Sequence, residues 1–366
     1  MTAPLHFPPR PAFAASIPDD AAMLRAAAEL TRDISHARPG LYWPDMLVSA
    51  AVGYAALAGV ILAPSLWLGL ACAVVAVLTL YRALLFIHEL THIHRGALPG
   101  FRLAWNLLVG IPLLTPSFMY ENVHTLHHAR TRYGTSDDPE YLPLALMKPW
   151  SLPGFILVSL ALPFALLFRF AVLVPLGLVI PPLRRLVWQR ASALAINPVF
   201  RRRAPEGAFR RMVLWQEAGA SLWAIALLVG THWYGWRPLL TGLGIVSLVA
   251  VFNQLRTLVA HLWQNEGEAM TVTAQYLDSV NVPPPGFWAE LWAPVGLRYH
   301  ATHHLLPSLP YHALPEAHRR LAGRFGEGAT YHGATYPGLW LLIGRIARST
   351  MSHREPRTIA WKAGEA

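Results

Sequence analysis

The chain has 366 residues, 54% hydrophobic and only 14% charged, against about 25% charged in soluble domains. Length alone would allow two soluble domains, but this composition excludes them in favour of one membrane-embedded unit. The formal net charge of +10 comes from arginines beside apolar runs, without an RNA-module motif; it reads as a cytoplasmic membrane surface and not as a nucleic-acid footprint.

Residues 1–40 are rich in proline and polar groups and are assigned to the cytoplasm. No positively charged start leads into an apolar stretch and a small-residue cleavage site, so no signal peptide is expected. Asp19 to Ile34 has helical spacing, with Met23, Leu24, Ala27, Leu30 and Ile34 on one side. That predicts an amphipathic helix resting on the cytoplasmic face.

Residues 41–320 are read as the membrane domain. The runs 46–68 and 69–87 are almost uninterrupted apolar residues, each long enough to cross a hydrocarbon core about 30 Å thick. Pro64 marks the turn of this helical hairpin. Cys72 is the only cysteine and lies mid-span, so neither a disulfide framework nor thiolate chemistry is expected. The second run continues into His88-Glu89-Leu90-Thr91-His92.

Phe101 to Phe118 is apolar but broken by Gly110, Pro112 and Pro116, and it leads to His124-Thr125-Leu126-His127-His128. A full crossing here would place the two histidine groups on opposite sides of the membrane. A re-entrant or interfacial segment is therefore predicted, followed by a polar loop from Thr131 to Glu140.

Phe155 to Ile180 is interrupted by Pro163 and Pro175 and carries Arg169, which unpaired at mid-membrane would cost about 2.5–3.5 kcal/mol. Next come Arg184, Arg185, Arg190, Arg201, Arg202, Arg203, Arg210 and Arg211, and such basic stretches stay cytoplasmic. One crossing at 155–180 would put them outside, so an interfacial helix is predicted instead. Runs 212–229 and 239–260 read as a second hairpin, with an aromatic turn from Thr231 to Trp236 at the far interface; His232 lies there as a surface residue. The spans are expected to hold almost no ionisable group apart from Arg82.

The second hairpin returns at His261, and Gln264, Asn265, Glu266, Glu268, Asp278 and Asn281 follow. Asp278 and Asn281 fit either an outer layer that orients imidazoles or plain loop and capping polarity; Glu266 and Glu268 read as loop polarity. After Pro283-Pro284-Pro285 comes Tyr299-His300-Ala301-Thr302-His303-His304. Leu305 to Leu314 is expected to face lipid or substrate. His312, His318, His332 and His353 lack the grouped spacing and read as surface residues. Residues 321–366 form a C-terminal cytoplasmic segment, unstructured after about Ser352.

The histidines carry the chemistry. On a helix, positions three and four apart are neighbours, so His300, His303 and His304 share a face, as do His124, His127 and His128. His88 and His92 add an i, i+4 pair, and His261 stands alone. Nine imidazoles exceed what one ion needs and point to two metal ions. With no cysteine in the cluster, iron–sulfur ligation is excluded.

The order H-x-x-x-H, H-x-x-H-H, H-x-x-H-H in an apolar chain resembles the integral-membrane fatty acid desaturase and hydroxylase superfamily over roughly residues 40–320. Asp138-Pro139-Glu140 after the second box and His261 after the run from Arg256 extend the resemblance. It implies a non-heme di-iron centre held by His88, His92, His124, His127, His128, His261, His300, His303 and His304, with dioxygen as co-substrate. Some relatives place an asparagine four residues before the lone ligand; here that position is Thr257. The implied fold is all-α, with four transmembrane helices in two hairpins beneath a cytoplasmic histidine cap with interfacial helices. The implied activity is oxidation of a fatty-acyl or related lipid chain. Desaturation is favoured for the Asp-Pro-Glu and His261, with hydroxylation as the alternative.

Two rivals remain. His88 to His92 also fits H-E-x-x-H, a zinc protease pattern with Glu89 as general base, but this leaves the other boxes unexplained. A metal store or transporter would place polar groups along the spans. No H-P-G-G heme module, flavin glycine pattern or rubredoxin cysteines occur, so a separate ferredoxin-like or cytochrome-type electron donor is expected, steered to the basic face around Arg201 to Arg211. The scarcity of lysine beside abundant arginine and alanine points to a bacterial inner membrane.

Overall fold

The computed structural model describes residues 17–94, 96–285 and 288–352. Among these it is all-α, with only isolated β-bridges. In chain order the helices are α1 (Ala21–Leu30), α2 (Pro39–Leu62), α3 (Leu66–His92), α4 (Phe101–Trp105), α5 (His124–His127), α6 (Ser151–Leu157), α7 (Leu162–Phe168), α8 (Val174–Val179), α9 (Pro181–Ala191), α10 (Gly207–Tyr234), α11 (Trp236–Leu258), α12 (Val272–Asp278), α13 (Ala289–Trp292), α14 (His300–Leu305), α15 (Leu314–Arg324) and α16 (Leu339–Ser352). The predicted tail beyond Ser352, with His353, lies outside the described residues.

The first hairpin is α2 and α3. Pro64 sits in its turn, and Ser65 caps α3 by accepting from the Leu68 N–H, so the turn falls a few residues before the predicted boundary. Tyr42, Met46 and Ala50 of α2 pack on Ala76, Leu80 and Ala83 of α3. At Gly53 the helices approach so closely that a Cβ would sit 2.6 Å from Leu80 Cδ2. Outward residues such as Val48, Leu62, Trp67 and Val74 stay exposed, which makes an apolar belt. Unbroken helix carries α3 into His88 and His92, because nothing between Leu66 and His92 breaks it.

The second hairpin is α10 and α11. Gly235, at φ 71°, makes its turn, flanked by exposed Trp233, Tyr234 and Trp236. Aromatic rings at this level suit a membrane interface. His232 is exposed there, as expected.

Residues 101–118 fold back on themselves. The Asn106 amide donates to Ser117 Oγ at 3.0 Å and its carbonyl accepts from Ser117 N at 2.8 Å. Leu114, at φ 58°, reverses the chain. Trp105 Nε1 ties the entry to Ala83 O of α3 at 2.9 Å.

A fifth helical stretch, Ser151–Val179, is long and apolar enough to cross a membrane, with 29 residues and a mean hydropathy of 2.4. It is built from α6, α7 and α8 joined by 3-10 and π turns, because Pro163 and Pro175 restart the helix. It does not lie apart from the bundle. Ser247 Oγ in α11 donates to Leu160 O, and Ser221 Oγ in α10 donates to Phe170 O, both at 2.8 Å. Its first residues, Leu152 and Phe155, pack with Trp263 beside His261. After α9 the chain is back at the second box, where Ile196 N and Asn197 N both donate to Pro139 O at 3.0 Å.

Arg169 in this stretch is paired. Its Nη2 donates to Glu217 Oε1 of α10 at 2.8 Å, and Arg184 takes the other oxygen at 2.5 Å. The expectation of nearly charge-free spans is therefore corrected: Gln216, Glu217 and Arg256 are buried on α10 and α11. The reason is local pairing, since each is matched to a polar group from the intervening segments or its own helix. The basic stretch is also not uniformly a surface. Arg202 is buried against Trp188 and Phe209 and donates to Ser192 O and Glu121 O.

The start of the described chain closes over the third box together with α12 and α15. Met23 and Ala27 of α1 are buried with Tyr276, Ala301, Leu321 and Tyr331. The amphipathic face thus meets protein, not a membrane surface. Leu309, Ala313 and Leu314 are likewise buried against Tyr299 and Ala317, which corrects the expectation of lipid contact there.

Candidate metal centre

The three boxes and His261 converge. Ligand atoms of His88, His92, His124, His128 and His303 form one group, and those of His127, His261, His300 and His304 another; within each group all lie within 4.8 Å of one another. Helix periodicity explains the sorting. His124 and His128, one turn apart, serve the first group, and His127 turns to the second. In α14 the roles invert: His300 and His304 serve the second group and His303 the first.

The facing nitrogens are Nε2 atoms. His124 and His128 approach to 3.0 Å, His128 and His303 to 3.1 Å, His261 and His300 to 3.1 Å, and His300 and His304 to 3.2 Å. Two nitrogens each about 2.1 Å from one ion, and 90–109° apart, stand roughly 3.0–3.4 Å from each other. The spacing fits a shared cation. Burial holds His124, His128, His261, His300, His303 and His304 well below the ordinary imidazole range. Neutral rings with free lone pairs are the ligating form.

The outer nitrogens show how the rings are aimed. His127 Nδ1–H donates to Asp138 Oδ2 at 2.9 Å, and His124 Nδ1–H to Glu140 Oε1 at 2.9 Å. Burial opposes charge on His127, but the Asp138 carboxylate outweighs it and the net shift is upward. Tyr120 donates to Glu140 Oε2 at 2.8 Å and stacks on His124. His261 Nδ1–H donates to the Tyr133 hydroxyl at 2.8 Å, which donates to Asp278 Oδ2 at 2.9 Å. Burial pushes Glu140 up to about 7 and Asp278 up to about 6; cations beside them would draw both back toward the carboxylate form.

Glu89 faces away from the centre. Its Oε2 accepts from the Tyr42 hydroxyl at 2.5 Å and Tyr311 N at 3.1 Å, while Oε1 stands 3.6 Å from His88 Nδ1. That is no posture for a general base, and nine converging imidazoles are not the ligand set of a one-zinc protease.

The structure chooses between the two readings left open for Asn281 and Asp278, and corrects the one for His318. Asn281 touches no imidazole; its Oδ1 accepts from Thr302 N at 3.0 Å and so caps α14. Asp278 reaches His261 only through Tyr133. His318 is buried, and its Nδ1 meets the Tyr331 hydroxyl at 3.0 Å, because α15 packs down on the 3-10 turn Thr330–Ala334. Thr257 turns its hydroxyl back to Asn253 O at 2.9 Å. Glu266 and Glu268 are exposed, as expected. Tyr120 and Tyr133 escaped notice, although Tyr120 stands one helical turn before His124. Gly134, at φ 72°, is required directly after Tyr133: a Cβ there would meet Asn265 Nδ2 at 2.5 Å.

Comparison with known proteins agrees with this geometry. The fatty acid desaturase family model matches residues 64–335. A ceramide hydroxylase of Caulobacter vibrioides (strain NA1000 / CB15N) is 47% identical over 331 residues, covering 90% of this chain and 94% of that relative.

Proposed function

Since the chain belongs to the fatty acid desaturase family, a family of lipid-oxidising membrane enzymes, we propose that it is a di-iron hydroxylase of a ceramide-like lipid. The observation that carries this reading is the pair of histidine groups built from three distant boxes and His261. Each of the nine histidines offers one nitrogen to an iron. When bound, the irons supply the redox chemistry that activates dioxygen. The chain's own work is to hold the rings other than His127 neutral, aim the rings through Asp138, Glu140 and Tyr133, and keep bulk water from a buried centre.

Hydroxylation replaces one C–H by C–OH; one dioxygen, two electrons and two protons give one alcohol and one water. Desaturation would consume the same inputs, remove two hydrogens and give two waters. The lean toward desaturation rested on Asp138, Glu140 and His261, but these support ligands and suit either outcome. The relative's activity favours hydroxylation.

The same reading places both hairpins across a bacterial inner membrane, with four crossings and with termini and histidines cytoplasmic. The fifth apolar stretch is taken as a partial entry. Both its start and the end of α9 lie beside the metal layer, and the eleven residues of α9 span only about 16 Å, too short a return across a core of about 30 Å. Electrons come from a separate donor at the exposed arginines Arg201, Arg203, Arg210 and Arg211.

The test is mass spectrometry of lipids from a host expressing the chain, beside metal analysis of the purified protein. Two irons per chain and lipid that has gained one oxygen are expected. One zinc, or an exchangeable mixed load without lipid change, would sink the reading.

A further inference from the structure

The 14 residues of α16 span about 21 Å, too short to cross a core of about 30 Å. One side of this helix is fixed to protein. Leu342 is buried with Val259 and Ala289, and Ile346 with Leu152, Phe155 and Leu258. Leu258 ends α11 and Leu152 stands at the start of α6. Both α11 and the stretch that α6 opens are long and apolar enough to cross a membrane. A helix laid across the ends of such stretches runs along the plane of the bilayer, at its border. His261 follows Leu258 by three residues, so this is the border on the metal side.

The other side of α16 is exposed. Trp340 is 80% accessible, and Leu341, Arg348 and Met351 are exposed with it. Positions 340, 344, 348 and 351 follow one line along a helix. Gly344 leaves a gap in that line, and Arg348 folds over it, with Nη1 3.6 Å from where a Cβ would stand. The result is an apolar stripe with a cation laid along it, on a helix that carries no Asp or Glu. The neighbours repeat this composition. Trp288, just before α13, and Trp150, just before α6, are exposed, and the Lys148 ammonium stands 4.9 Å from the Trp150 ring centroid. Indole beside cation, without acids, suits the layer where hydrocarbon meets lipid phosphate. Continuity decides for lipid over a protein partner: Leu157 and Val158, farther along from Trp150, are exposed too, so the stripe joins the apolar belt of the bundle.

We propose that α16 is an in-plane membrane helix: Trp340, Leu341 and Met351 enter the leaflet on the metal side, and Lys148 and Arg348 meet its anionic phosphate groups. The occupant of this face is an anionic phospholipid surface. The inference goes beyond the lipid-oxidation reading and needs no metal. It also fixes how high the centre rides against the bilayer, because Ile346 shares a core with Trp263, whose ring lies 5.0 Å from that of His261.

The experiment uses the full chain in nanodiscs of phosphatidylcholine, with and without phosphatidylglycerol. Cys72, the only cysteine, is removed as Cys72→Ala, and a nitroxide is attached at Leu341→Cys. Val74→Cys, in the exposed belt, and Glu327→Cys, in an exposed polar turn, give the lipid and water references. Collision with oxygen and with a soluble nickel chelate reads the depth. The label at position 341 should lie about 5–10 Å into the boundary, with an oxygen-to-nickel ratio several-fold above that at position 327. Phosphatidylglycerol should deepen it, and Arg348→Gln with Lys148→Gln should remove that deepening. A ratio equal to that at position 327 would overturn the proposal, and so would shielding from both reagents, which marks a protein cover. Indifference to phosphatidylglycerol would overturn the part given to Lys148 and Arg348. The unmutated chain supplies a second measurement. Hydroxyl-radical footprinting in the same nanodiscs should spare Trp340 and Met351, and oxidation at the rate of water-exposed residues would overturn the proposal without any substitution.

Discussion

The second and third histidine boxes are spelled alike but held differently. In the second, side chains do the aiming: His127 and His124 lean on Asp138 and Glu140, and α5 is only four residues long. In the third, the Nδ1 atoms of His300, His303 and His304 are buried and meet no partner. There the helix itself is fixed, capped by Asn281 and covered by α1, α12 and α15. One motif is preorganised by hydrogen bonds and its twin by packing. A short helix at a loop has too little buried surface to hold three rings, so carboxylates take over; a helix inside the fold has the surface and lacks the acids.

The contrast can be broken at several strengths. Removing a ring from either box, as in His127→Ala or His303→Ala, should abolish turnover and lower bound iron, read by metal analysis; full activity in either would end the di-iron assignment. Asp138→Ala leaves the ring but not its aim. A loss of about 10-fold to 100-fold in metal affinity or activity is expected, measured by chelator competition, and an undiminished affinity would show that packing also holds the second box. Asn281→Ala should act on the third box as the loss of a helix cap does, costing about 1 kcal/mol of stability. It should lower the thermal midpoint with the metals bound, while iron stoichiometry holds. The smallest effect belongs outside both boxes. Arg201→Gln with Arg203→Gln should slow electron delivery a few-fold and flatten its salt dependence; an unchanged salt profile would remove the donor from that face.

Much of this centre is legible in the sequence because histidine spacing on a helix is a local property. Eight of the rings and the turn at Pro64 follow from spacing and proline; His261, which stands alone, was reached only through the family resemblance. What local pattern cannot carry is pairing across the chain. Arg169 was recognised as needing a partner, yet Glu217, 48 residues later, closes on it only in three dimensions. Asp138 and Glu140 were conspicuous, but their assignment to His127 and His124 depends on how the loop at Gly134 turns. Tyrosine in a loop has no period, so Tyr133 was invisible. Arg202 reads as one of a basic run until the fold buries it. The same limit touches the helix count: Ser151–Val179 has the length and composition of a span, a fifth beside the four of the two hairpins.

The cover over the third box joins the start of the described chain to α12, far along the sequence. Asp20 N donates to Thr273 Oγ1 at 2.8 Å and Thr271 Oγ1 to Ile17 O at 2.7 Å, across separations of 253 and 254 residues. Contacts of such span form last, after the loop between them has been ordered. During synthesis the residues around Asp20 therefore wait for α12 before this part of the cover can close.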